Sequence, residues 1–244
     1  MRSCTKRVAR FVGLALMLVA STTAATAAAP VSPLADVTVA DVDASNAKVA
    51  SAYGALVEMW SAEYTRIGHR FVPPHIARYR GSIMTDCGPM PANNALYCPQ
   101  RNTIYYDDIF VARQAKAAAE QLGTDGDMAA VGIIAHEMGH AAAMQLGQDS
   151  RIPYENEAAA DCLAGAFAQY SAGNGSLEKG DLEEAFFGLA AAGDPTPQYT
   201  GNRRMDNRIA IRAAYLGHGT REQRQSNFTS GYKGGAGACL DVFR

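Results

Sequence analysis

The sequence predicts an α+β fold, mostly helical, with a small sheet in the first half of the chain. Three observations carry that prediction. Apolar residues recur at three- and four-residue steps over 45–67, as Val49, Tyr53, Leu56, Trp60, Tyr64 and Ile67, which is the period of one helix face. Two Ala-rich apolar runs, 131–147 and 155–172, are longer than strands normally are. The β-forming residues instead fall in short segments bounded by Gly and Pro, of which 102–106 (NTIYY) is the clearest.

Taken in order, residues 1–29 read as a secretory signal peptide. Arg2, Lys6, Arg7 and Arg10 precede an apolar core at 11–20, and a small-residue stretch follows with Ala-x-Ala cleavage options near 25–29. The competing reading is an uncleaved membrane anchor, but that core is about half the roughly 20 residues a span needs. Cys4 precedes the apolar core, whereas a lipid-modified cysteine would follow it. Cleavage removes four cations and no acid, which takes the formal charge from −2 to −6. A mildly acidic chain without clustered Lys or Arg points away from nucleic acid and from anionic membrane surfaces. The exported form is expected to make no membrane contact once the leader is gone. The remaining length suits one domain with a substantial core.

Residues 30–44 are poor in large apolar side chains and read as a linker or leader, so the domain proper is expected over 45–244. Ser45 is the expected N-cap of the first helix and Gly68 its stop. Segment 69–98 is interrupted by Pro73, Pro74, Gly81, Gly88 and Pro91, with strand candidates at 82–84 and 95–98. His69 and His75, in this segment, read as structural or solvent-facing. A helix at 111–122 stops at Gly123, and Asp125 or Asp127 is placed to cap the next one, which ends at Gly147. Helices are expected at 155–172, 176–192, 204–216 and 221–228, followed by a Gly-rich tail over 231–238.

After cleavage four cysteines remain, Cys87, Cys98, Cys162 and Cys239. In an exported chain two disulfides are the natural inference, with free buried thiols as the competing reading. Three pairings are possible. Cys87–Cys98, closing a short loop, and Cys162–Cys239, tying a helix to the C-terminus, are favoured.

The chemistry is concentrated in the run VGIIAHEMGHAAAMQLG at 131–147. His136 and His140 lie one helical turn apart on one face, where two imidazoles can share one Zn²⁺. Glu137 is rotated by about 100° from His136, off the metal but within reach of a water bound to it. Zinc lowers the pKa of such a water to about 7, and a carboxylate beside it can take the proton. The competing reading is a core helix carrying three polar residues by chance, which would be costly to bury without partners.

A catalytic zinc normally takes a third protein ligand. A third histidine six residues after His140 is excluded, because Leu146 stands there and Ala143 replaces the glycine of that pattern. Glu157 and Asp161, four apart on the next helix with three alanines between them, supply the alternative. Glu157 is expected to ligate the metal, and Asp161 to accept the spare N–H of one of the histidines. The competing reading is two ordinary surface acids, weakened by the absence of nearby Lys or Arg. Glu155 and Asp149 are fallback ligands. For the oxyanion of an amide-cleaving reaction His218 is the leading donor, ahead of Tyr105, Tyr106 and Tyr199. A loop histidine bonded to backbone is the competing reading for His218.

These residues resemble the glutamate-zincins, and in particular the bacterial neutral zinc metallopeptidases. AHEMGH at 135–140 and NEAAADCLAG at 156–165 are similar to that family's AHExGH and ExxADCxAG. Further similarities are the CG, YCP and IYxD pieces between 87 and 107, the DNRI at 206–209, the HGTxxQR at 218–224 and the CxDxF at 239–243. The likeness runs from about residue 50 to the C-terminus. It implies a zincin-like fold with the sheet beside the HExxH helix, one Zn²⁺ per chain held by His136, His140 and Glu157, and Glu137 as catalytic acid and base. One departure stands out: Ala141, Ala142 and Ala143 occupy positions where relatives carry a further His and Gln, and Gln145 comes only after them.

The resulting expectation is an exported zinc metallopeptidase acting on peptide or protein substrates. Two others compete: a zinc hydrolase of another amide, such as a cell-wall peptide link, and a scaffold that keeps the metal without turnover.

Overall fold

A computed structural model describes residues 36–244, so the signal peptide expected at 1–29 lies outside the described residues. The first helix, α1 (Val39–Arg66), starts six residues before the expected Ser45. Thr38 accepts from the Asp41 N–H while Asp41 accepts from the Thr38 N–H, a capping box that fixes the start. Residues 39–44, expected in the leader, therefore belong to the helix, and Ser45 is buried within it. Val49, Leu56, Trp60 and Tyr64 bury as the periodicity predicts.

Five short strands follow: β1 (His75–Tyr79), β2 (Ile83–Thr85), β3 (Gly88–Met90), β4 (Ala95–Cys98) and β5 (Thr103–Asp107). β2 and β3 form a hairpin. The other three form a mixed sheet in the order β1-β5-β4, with β1 parallel and β4 antiparallel to β5. β1 was not expected from sequence: Pro73 and Pro74 directly precede it, and its partner lies 28 residues on in parallel register. β4 lies on the edge, and its outer side faces the helices.

β5 runs straight into α2 (Asp108–Leu122), because Asp107 accepts from the N–H groups of Ile109 and Phe110. Then come α3 (Asp127–Gln145), α4 (Pro153–Gly173), α5 (Asp181–Ala191), α6 (Arg203–Leu216) and α7 (Arg221–Gly234). α5 is shorter than expected and α7 longer, running six residues past Phe228. The balance is α+β and mostly helical, with a small mixed sheet.

α3 is the central element, with thirteen of its 19 residues buried. It lacks the side-chain caps expected from Asp125 or Asp127. Glu184 of α5 reaches across instead, accepting from the N–H of Gly126 at 3.0 Å and of Met128 at 2.8 Å. α4 packs against α3 through Gly139, where a Cβ would sit 2.9 Å from the Ala160 carbonyl oxygen. α4 and α7 meet still more closely: a Cβ on Gly231 would lie 1.7 Å from the Cys162 carbonyl oxygen, and one on Gly165 1.9 Å from that of Phe228. Disulfides join Cys87 to Cys98 and Cys162 to Cys239, the favoured pairings. Among the described residues no helix is long and apolar enough to cross a membrane.

Candidate metal centre

Close α3–α4 packing at Gly139 sets His136 and His140 opposite Glu157. The Glu157 carboxylate lies 3.2 Å from His136 Nε2 and 3.4 Å from His140 Nε2. Ligands at 2.0–2.1 Å around a tetrahedral zinc are separated by about 3.3 Å, and both spacings are of that size, though His136 meets Oε2 and His140 meets Oε1. His136 Nδ1 lies 2.8 Å from Asp161 Oδ1, so an N–H there donates to the carboxylate and the Nε2 lone pair turns to the site. Of the two tautomer partners foreseen for Asp161, His136 is therefore the one it meets.

The electrostatics favour positive charge where the three side chains meet. Burial pulls the His136 imidazole down, yet its contacts with Asp161 and Glu157 outweigh that and lift it to about 10. Burial likewise pushes the Glu157 carboxyl up, and the two histidines overturn it and hold the group below the usual carboxylate range. Two nitrogens and an oxygen converging on one point, in a field that favours a cation, fit zinc. An all-oxygen cage would have called for a harder cation.

Asp161 is fully buried and is held in turn by Arg224 of α7, whose Nη2 donates at 2.7 Å and Nε at 3.0 Å. Sequence reasoning assigned Arg224 no role. The available signal was Asp161 itself, a carboxylate in an apolar helix that needed a cation from elsewhere. The Gly165–Gly231 approach is what brings α7 near enough to supply it.

Glu137 Oε2 accepts from the Tyr97 N–H of β4 at 2.7 Å, which locks the carboxylate between α3 and the edge strand. No side-chain pattern announces a backbone donor, and this contact too was missed. Glu137 lines a cavity of about 190 Å³ with His136, His140 and Glu157. Asn94, Ala95 and Leu96 form one side, Phe110, Ile133 and Leu189 an apolar floor, and His218 the rim. The His218 side chain is 62% exposed, with Nδ1 3.9 Å from Asp194 Oδ1. Asp206 caps the turn before α6 through Thr200 and does not meet His218.

Tyr105, Tyr106 and Tyr199 do not line the cavity, and Tyr106 donates its hydroxyl to Asn46. The fallback ligands Glu155 and Asp149 are exposed, and neither belongs to the converging group. His69 and His75 are solvent-facing. Gln145 pins the chain before β1 through Val72, away from the histidines.

A helix with paired histidines, a carboxylate from the next helix and an edge strand alongside define the zincin-like class of α+β fold. Within it, the chain belongs to the family described as putative neutral zinc metallopeptidase, whose profile matches residues 4–243. Relatives include YpfJ of Escherichia coli K12, 31% identical over 202 residues, which cover 76% of this chain and 67% of YpfJ. Rv2575 of Mycobacterium tuberculosis H37Rv is 30% identical over 195 residues, 71% of this chain and 63% of that protein. About a third of each relative thus lies outside the match. No solved structure matches the chain.

Proposed function

We propose that the chain is an exported zinc-dependent metallopeptidase. The observation that carries the reading is the convergence of His136, His140 and Glu157 with Glu137 fixed beside them at a strand edge. His136, His140 and Glu157 would hold the metal, which when bound supplies Lewis acidity to a carbonyl oxygen and makes water a usable nucleophile near neutral pH. Glu137 takes the proton from that water and returns it to the leaving amine. Its Oε2 is engaged by Tyr97, which leaves Oε1 for the proton. Asp161 fixes the tautomer and orientation of His136, and Arg224 fixes Asp161. His218, which also lines the cavity, donates to the oxyanion on this reading.

β4 supplies the substrate track. The Asp107 N–H donates to the Asn94 carbonyl on the β5 side, whereas the Tyr97 N–H points the other way, to Glu137. By the alternation of antiparallel strands, the backbone of Ala95 faces outward with Tyr97, into the cavity. An extended peptide pairs there and sets an apolar side chain against Phe110, Ile133 and Leu189. Export rests on the leader at 1–29 and agrees with two disulfides.

The test is a broad peptide-library digest with wild type and Glu137→Gln, alongside metal analysis. The variant is expected to keep about one zinc per chain and to lose roughly 10²–10⁴ of turnover. Equal digestion by both proteins would remove Glu137 from the chemistry. Digestion of peptidoglycan fragments alone would move the substrate class to cell-wall peptides.

A further inference from the structure

We infer that the start of α3 carries a second metal site, for a hard divalent cation, built from Asp125, Asp127, Asp181 and Glu184. One oxygen from each of these carboxylates lies within 4.8 Å of the others. The donors are all oxygen, the set that suits a hard cation and not zinc. Oxygens on opposite sides of such an ion are about 4–5 Å apart, so the four carboxylates are close enough to share one.

An acidic cluster alone would be ordinary helix N-terminal chemistry. Here two buried oxygens are orphaned. Asp181 is only 5% exposed; its Oδ2 accepts from the Glu178 N–H, and its Oδ1 finds no hydrogen-bond partner among the described residues. Thr124 Oγ1, in the loop between α2 and α3, is buried and without a partner in the same way. Thr124 packs through its methyl against Gly180, the residue before Asp181: a Cβ on Gly180 would lie 2.6 Å from it. Burying acceptors without donors is costly, and a divalent ion meets several of them at once. Burial, reinforced by the surrounding acids, also lifts the Asp181 carboxyl to about 6.

The positive charge already present is Lys48, whose Nζ lies 2.6 Å from Asp127 and 3.6 Å from Asp125. One lysine leaves the four carboxylates with three net negative charges. The N-termini of α3 and α5 oppose a cation by about half a charge each, which does not cancel that excess. Glu184 already accepts two backbone N–H groups, and each of its oxygens retains a lone pair. Asp125 is exposed, so the site opens to solvent on one side. An ion there clamps the start of α3, which carries His136, to the start of α5, which lines the cavity.

The test is thermal melting and calorimetric titration of the zinc-loaded full chain with CaCl₂. With the affinity of extracellular calcium modules, a Kd of about 10⁻⁴–10⁻³ M, 10 mM Ca²⁺ should raise the Tm by about 3–10 °C. The double variant Asp125→Asn/Asp181→Asn, which removes two charges without adding bulk, should melt normally in calcium-free buffer and lose the shift. Lys48→Met should bind Ca²⁺ several-fold more tightly, since the resident cation is gone. No shift in wild type, or a shift that survives in the double variant, overturns the site. The readout is independent of turnover, so it stands or falls apart from the peptidase reading.

Discussion

The α3–α4–α7 packing and the excursion over residues 195–218 both border the cavity, and they are built in opposite ways. In the first, three helices touch backbone to backbone at Gly139, Gly165 and Gly231, and the buried Asp161 between them is held by both His136 and Arg224. In the second, α6 has no buried residue among those described, and Met205, Ile211 and Tyr215 stand in solvent. The excursion is fastened where its ends meet: the Asp194 N–H donates to the Gly219 carbonyl at 2.8 Å, and the Gly219 N–H to Asp194 Oδ2 at 2.9 Å. Metal ligands must be held to fractions of an ångström, which only close-packed elements provide. A rim that borders substrate has no such requirement, and His218, the last residue of the excursion, sits on it.

The sharpest way to break this contrast is Arg224→Met. Removing one partner of a buried ion pair strands Asp161 without its cation and should cost about 3–5 kcal/mol of stability. Zinc affinity should also fall about 10–100-fold, because the carboxylate that orients His136 loses the arginine that holds it. Denaturant unfolding and competition with a metal chelator measure the two effects. If stability falls while affinity holds, Arg224 is a packing residue only, and the chain from α7 to the metal is cut.

Gly139→Ala probes the same region more gently. A methyl placed 2.9 Å from the Ala160 carbonyl oxygen and 3.2 Å from the Leu163 Cβ must push α4 outward. Overpacking of this kind costs about 1–3 kcal/mol. Because Glu157 rides on α4, zinc affinity should drop by more than the stability loss alone would imply. An alanine variant with unchanged zinc affinity would mean that the ligand spacing does not depend on this contact.

The two regions also differ in how far they could be read from sequence. The ligands were legible because each pair is local: His136 with His140, and Glu157 with Asp161, are i,i+4 neighbours on single helices, where spacing alone sets the face. Whatever was supplied across the fold was not legible. Arg224 reaches Asp161 from 63 residues away, Glu184 caps a helix 56 residues before it, and the Tyr97 contact to Glu137 is made by backbone. The start of α1 escaped for a different reason. Thr38 and Asp41 form their box in a segment too poor in large apolar residues for a periodicity argument to reach. β1 escaped because a parallel partner leaves no hairpin signal between two strands.

The smallest effect is expected on α6. Ile211→Ser and Tyr215→Ser alter side chains that are 60% and 52% exposed, and substitutions of that kind stay within about 0.5 kcal/mol. For a domain of this size that is a Tm change of no more than about 2 °C. Zinc content should not change, since neither residue lines the cavity that holds the ligands. Activity is the informative readout, because the excursion ends at His218 and borders the substrate cavity there. A higher KM for long peptides, with kcat and KM for short ones unchanged, would make α6 a wall for the outer part of the substrate. A Tm loss of several degrees would mean instead that the excursion carries packing of its own, and the division between a rigid centre and an end-fastened rim would have to be redrawn.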